Sequence, residues 1–163
     1  EEIIELSGTS KGSFYHYFDG KDALLSTLSS LFDEKYEELT GLLTPEMTAM
    51  EQLLFLNREL FHMIEDSISL DLLARLYSTQ LTTNGEKHLL DHNRIYYKLL
   101  RKIIAKGQAE GQLSSRSNVN EMVKLYALCE RALLYDWCLC AGEYALTEYS
   151  AKVLPGFLSS FLP

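Results

Sequence analysis

From Lys21 to Leu162 apolar side chains recur every three or four residues with hardly a break, and no stretch alternates apolar and polar residues between hairpin turns. That pattern calls for a succession of helices and leaves no room for a sheet. The first long helix is expected from Gly20-Lys21 to about Leu43, with Leu24, Leu25, Leu28, Leu31, Phe32, Tyr36 and Leu39 along one side. Thr44-Pro45-Glu46 reads as the next start: a capping hydroxyl, a proline suited to the first helical position and a carboxylate favoured by the dipole. That helix ends near Asp66, and a shorter one runs from about Leu70 to Thr82. Thr83-Asn84-Gly85-Glu86 fits a capping box opening a helix that fades at Gly107-Gln108-Ala109-Glu110-Gly111. Asn118-Val119-Asn120-Glu121 repeats the device before a helix to about Ala141, and a last helix spans about Ala145 to Leu162 with Pro155 as a kink. The expected class is all-α.

The last two of these helices are apolar nearly all round. Met122, Val123, Leu125, Tyr126, Leu128, Leu133, Leu134, Trp137 and Leu139 leave the first without a consistently polar face. Such a helix must be covered on every side. Packing inside a monomeric bundle would do it, and so would a second subunit, which is the favoured reading.

Composition restricts the class of function. The 163 residues carry 15 Lys+Arg against 23 Asp+Glu, a formal net charge of −8. Three cysteines cannot all pair with one another, which fits a reducing cytoplasm better than a disulfide scaffold. No apolar run is long enough for a membrane span, and no membrane partner is expected. Taken alone, the acidity argues against nucleic acid, since binding to phosphates needs local positive charge.

The N-terminal residues argue the other way. Ile3-Ile4-Glu5-Leu6-Ser7-Gly8 reads as a helix end closed by a glycine turn, and Ser10 can cap a short second helix. In Lys11-Gly12-Ser13-Phe14-Tyr15-His16-Tyr17-Phe18, the two phenylalanines lie four apart and can pack inward, leaving hydroxyls and an amine outside. A helix, a tight turn and a second polar helix form the unit that enters a DNA major groove.

This string, with Lys21 and Leu24 after it, closely resembles the helix-turn-helix signature of the TetR family of bacterial transcription repressors. Gly107-Gln108-Ala109-Glu110-Gly111-Gln112-Leu113 and Asp136-Trp137 followed by Gly142 resemble that family's regulatory domain. Ile4, Ser7, Thr9 and Gly20 depart from the residues usual at their positions without breaking the motif. The family has a whole helix and the front of another before the position of Ile3, so the resemblance implies a reader continuing upstream of Glu1, with much of its positive charge there.

The resemblance implies a partial helix-turn-helix DNA-binding domain with connecting helix in 1–43. A helical-bundle ligand-binding and dimerisation domain follows in 44–163. Ser10, Lys11, Gly12, Ser13, Tyr15, His16 and Tyr17 would meet the groove of double-stranded DNA at a palindromic operator, and Lys21 a phosphate. A small-molecule effector would release the repressor by tilting the connecting helix, and the last two helices would make a homodimer. The alternative, from another class, is a dimeric protein-interaction module with a vestigial reader.

An effector site should be mostly apolar with a few polar groups. The expected members are Phe61, Tyr77, His92, Asn93, Tyr96, Tyr126 and Trp137, although aromatics at helical spacing also serve as core and His92 and Asn93 could face solvent. Glu130 interrupts an apolar stripe and needs a partner, either a ligand amine or, as favoured, a basic side chain at the subunit interface. His88 and His92 have a metal-compatible spacing but no evident third ligand, and Cys138 and Cys140 point about 200° apart on a helix. Cys129, Cys138 and Cys140 read as small buried residues. No metal, no cofactor and no enzyme activity is expected.

Overall fold

The computed structural model describes residues 21–163, with side chains from Ser26 onward. The described residues form six α-helices and no strand: α1 Lys21–Thr40, α2 Ala49–Ser67, α3 Leu70–Thr82, α4 Ile95–Ala109, α5 Val119–Leu139 and α6 Leu146–Phe157. Short 3-10 turns occupy His88–Leu90 and Leu158–Phe161. Ser10, Lys11, Gly12, Ser13, Tyr15, His16 and Tyr17 lie outside the described residues, as does the side chain of Lys21, which opens α1.

Burial follows the helical period. α1 turns Leu28, Phe32, Tyr36 and Leu39 into the core, and α2 contributes Leu53, Leu56, Leu60, Phe61 and Ile64. The core is continuous from α1 through to Phe161. Helix α2 packs most extensively on α6, and α4 on α5 and α2. Helix α1 lies against α2, α4 and α3.

Two expected helix starts are displaced. Thr44-Pro45-Glu46 forms a turn, and α2 begins at Ala49 behind Thr48. Thr48 makes the complete capping box: its hydroxyl accepts from Glu51 N at 3.2 Å, and its own N–H donates to Glu51 Oε2 at 2.7 Å. Two reciprocal bonds outcompete a single cap followed by proline. Thr83 likewise ends α3 instead of opening a helix, its hydroxyl donating to Thr79 O at 2.7 Å. Lys87 folds back to donate to Gln80 O and Thr83 O, so the segment serves the carbonyl end of α3. Helix α4 therefore starts only at Ile95. The Asn118 capping box forms with Glu121 as expected.

The stretch from Gly107 to Leu113 joins three helices. Gln112 and Leu113 N–H groups both donate to Gly107 O, and Gly111 takes φ +71 to allow it. Gln108 Nε2 donates to Ser114 O and Ser117 O, shaping the connection to α5. Gln112 Oε1 accepts from Ala49 N at 2.8 Å, capping α2 from a distance of 63 residues. Helix α6 is capped in the same way: Ala145 offers no side-chain acceptor, and Glu65 of α2 accepts from the N–H groups of Leu146 and Thr147 and from the Thr147 hydroxyl.

Gly107 marks the closest of these approaches. A Cβ placed there would lie 2.6 Å from Ala49 Cβ and 2.8 Å from Leu113 Cδ1. Alanine normally stabilises a helix interior relative to glycine, but Ala49 Cβ cannot move without its backbone. Gly107→Ala should therefore destabilise the fold, by about 1–3 kcal/mol, as read from the urea midpoint at unchanged slope.

Candidate functional site

Five helices leave a small cavity between them, of about 60 Å³. Phe32 and Tyr36 form its α1 wall, Leu60 and Ile64 its α2 wall, and Leu73, Leu76 and Tyr77 its α3 wall. Tyr96 reaches it from α4, and Ala127, Glu130, Arg131 and Leu134 from α5. Leu89 and Arg94, from the segment before α4, complete the lining. Leu89 is held there because its N–H donates to Gln80 Oε1 at 2.9 Å and its carbonyl accepts from the Tyr97 hydroxyl at 2.6 Å.

Glu130 is the polar centre of this wall, only 4% exposed. Its partners come from within the subunit, which corrects the expectation of an intersubunit cation. Asn57 Nδ2 of α2 donates to Oε2 at 2.8 Å, and the Tyr96 hydroxyl of α4 donates to Oε1. Asn57 Oδ1 in turn accepts from the Ser150 hydroxyl of α6 at 2.6 Å. A single polar chain thus joins α4, α5, α2 and α6. Burial raises the Glu130 carboxyl above its ordinary range, opposed by the hydrogen bonds from Tyr96 and Asn57. Burial, with the Glu130 charge second, also pushes the phenols of Tyr36, Tyr96 and Tyr126 well up, so they remain donors.

The far end of the chain reaches a second, open depression of about 530 Å³ between α2 and α6. Asn57 and Ser150 lie in its lining with Leu54, Phe55, Arg58 and Leu154. Arg58 stands over the Phe55 ring, 5.5 Å from its centroid.

Of the expected effector residues, Tyr77 and Tyr96 line the cavity. Phe61 and Tyr126 are wholly buried elsewhere in the core, the Tyr126 hydroxyl donating to Leu53 O at 2.8 Å. Trp137 anchors the turn into α6, its Nε1 donating to Tyr144 O at 2.9 Å. His92 and Asn93 are exposed, and His92 stacks on Tyr97 with centroids 4.5 Å apart. Tyr36, Arg94 and Arg131 were not anticipated. Arg94 follows directly on Asn93, but only the late start of α4 turns it toward the cavity.

Among the described residues no group of three or more His, Cys, Asp or Glu is placed to hold a metal. Cys129 is buried, whereas Cys138 and Cys140 are half-exposed, which corrects the expectation that all three are buried. No described helix is long and apolar enough to cross a membrane.

The folded protein binds the Glu130 proton more tightly than the unfolded chain does. Stability tied to this group is therefore full below its unfolded value of 4.5 and is lost as pH rises through the folded value. Glu130→Gln keeps the shape and removes the ionisation, because Asn57 can turn its amide over and the Ser150 hydroxyl can then accept. Urea melts at about pH 5 and about pH 8 should show the variant gaining on the wild type at the higher pH. Glu130→Ala, which strands the Asn57 and Tyr96 donors, should instead cost about 3 kcal/mol.

Residues 1–28 match the family model described as bacterial regulatory proteins, tetR family. Among solved structures, the transcriptional regulator FadR from Bacillus subtilis in complex with stearoyl-CoA superposes with a TM-score of 0.72 at 20% identity, covering 98% of this chain and 86% of that one. The fatty acid degradation regulator FadR from Bacillus halodurans gives a TM-score of 0.71 at 18% identity with the same coverage. Comparison with curated proteins finds no significant match. At these identities the two structures establish the fold, and the N-terminal match likens residues 1–28 to the bacterial regulatory proteins of the tetR family.

Proposed function

We propose that the protein is a dimeric, operator-binding repressor whose DNA affinity is lowered by an effector carrying an apolar chain. The observation that carries this reading is that the connecting helix is itself a wall of the cavity, through Phe32 and Tyr36. Ligand pockets usually hold about 300–1,000 Å³, against about 60 Å³ here. An effector of ordinary size must therefore part these walls, and α1 is one of those displaced. Helix α1 has 20 residues and is about 30 Å long, so a tilt of about 5° shifts its start by roughly 2.5 Å. Paired recognition helices must stay near one turn of DNA, about 34–36 Å apart, and a shift of this size costs affinity.

Residues 1–43 act as reader and lever, with Ser10, Lys11, Gly12, Ser13, Tyr15, His16, Tyr17 and Lys21 as the DNA-facing set; residues 44–163 act as the regulatory unit. The apolar cavity walls suit the acyl part of a ligand such as the stearoyl-CoA held by the Bacillus subtilis regulator. Dimerisation is supported by an exposed stripe on α5: Leu125, Leu128, Ala132, Tyr135 and Leu139, spaced three and four apart, with Leu128 48% and Leu139 66% exposed. Tyr149 and Phe157 of α6 extend the apolar surface. The working place of such a regulator is the cytoplasm, and no catalytic role is assigned to it.

Leu128→Glu should convert dimers to monomers in analytical ultracentrifugation while leaving the helical circular dichroism unchanged. A variant that stays dimeric would move the interface off α5.

The wild-type protein should bind a palindromic duplex recovered by selection from random DNA at low salt, more weakly as salt rises. Adding stearoyl-CoA should lower that affinity by at least about tenfold, near 1.4 kcal/mol, in fluorescence anisotropy. Intact dimers that select no DNA would favour the protein-interaction module instead.

A further inference from the structure

Arg94 is a buried cation that makes, among the described residues, two hydrogen bonds with its five N–H donors. Its side chain is 9% exposed and lines the cavity. Nη2 donates to Asp33 Oδ1 of α1 at 3.1 Å, and Nη1 reaches His88 O only at 3.5 Å. Nε is buried without a hydrogen-bond partner among the described residues. A guanidinium has five N–H donors, and leaving buried charged donors unpaired is costly. Arg131 lines the same cavity, with Nη1 donating to the Tyr97 hydroxyl at 3.2 Å. Against these two cations stand Asp33, 28% exposed and already paired, and Glu130, whose oxygens are taken by Asn57 and Tyr96. Arg94 is also the N-cap residue of α4, which has no side-chain cap, so the helix end adds to the attraction for an anion.

We propose that Arg94, assisted by Arg131, binds the oxyanion of an effector whose apolar chain lies in the cavity, and that this anion competes with Asp33 for the guanidinium. The inference rests on the apolar-chain effector proposed above and adds its charge and its route to the lever. Asp33 sits on α1 three residues before Tyr36, whose ring lies 4.9 Å from that of Tyr96. With the effector absent, Arg94 ties α1 to the start of α4. With its anion bound, the tie is released at the point where the chain pushes Phe32 and Tyr36 aside. A carboxylate, a phosphate and an acyl-CoA all offer suitable oxygens to a guanidinium, and the choice among them is an arm of the test.

Calorimetry on the full chain would compare dodecanoate, dodecyl phosphate and dodecanoyl-CoA with neutral dodecanol, all below their micelle concentrations. At least one anionic probe should bind about tenfold or more tightly than dodecanol, as one charge-assisted hydrogen bond would give, and the tightest identifies the headgroup. Arg94→Met should erase that preference while still binding dodecanol, which also reports that the cavity has folded. Arg94→Lys keeps a charge for Asp33 but lacks Nε and should lose most of the preference. Asp33→Asn, which removes the competitor, should tighten anion binding several-fold and speed amide exchange in residues 27–40 without ligand. Preserved anion preference in both Arg94 variants would overturn the site. An Asp33→Asn variant with unchanged affinity and exchange would overturn the competition. If dodecanol binds and no anion exceeds it, the headgroup inference fails alone. If no probe binds the wild type, it fails together with the effector reading.

Discussion

A carboxyl group with almost no access to water must find its hydrogen bonds inside the protein, and Glu130 finds them on other helices. Asn57 meets it from α2 and Tyr96 from α4, and Ser150 of α6 completes Asn57. Apolar packing alone tolerates small slides of one helix along another, whereas donors and acceptors at 2.6–2.8 Å do not. The chain therefore fixes the register of α2, α4, α5 and α6 against one another. Helix α1 is outside it. Its described ties to the rest include the apolar stripe from Leu28 to Leu39, the Tyr36–Tyr96 ring contact and the Arg94–Asp33 ion pair. The helix that leads toward the N-terminal segment is thus held by contacts outside the Glu130 chain.

What could be read from the residues was what local chemistry decides. Leu70–Thr82 is a helix with the expected bounds, and the Asn118 box opens α5, because in both places the cap and the apolar period agree. Thr44 and Thr83 look as good on paper, but each has a rival a few residues away. Thr48 has a carboxylate at the right spacing, and Lys87 is better placed to satisfy the last carbonyls of α3. The Gly107–Leu113 stretch was legible as a helix end and as a resemblance. Its physical roles, a close helix crossing and caps sent to distant helices, depend on neighbours that periodicity does not name.

The cavity was legible to the same extent. Tyr77 and Tyr96, expected at an effector site, line the cavity. Glu130 was recognised as needing a partner, but its own fold supplies one from 73 residues away. Arg94 was missed because its meaning depends on where α4 begins. A helix from Glu86 would have given it another direction and made His92 and Asn93 the inward pair.

Helix α5 decides how a load on the cavity is shared. Ala127, Glu130, Arg131 and Leu134 face the cavity, and the stripe from Leu125 to Leu139 faces outward roughly 130° round the helix. If a second subunit covers that stripe, α5 is braced from behind while the Glu130 chain holds α2 and α4 to it. A chain entering the cavity then meets walls of unequal stiffness. Strain can then pass to α1 at Phe32 and Tyr36, a wall that lies outside the Glu130 chain. Dimer contact and ligand response would then be one mechanical problem, because an unbraced α5 would yield in place of α1. Weakening the dimer seam should blunt the operator response to effector by more than the loss of paired half-sites alone accounts for.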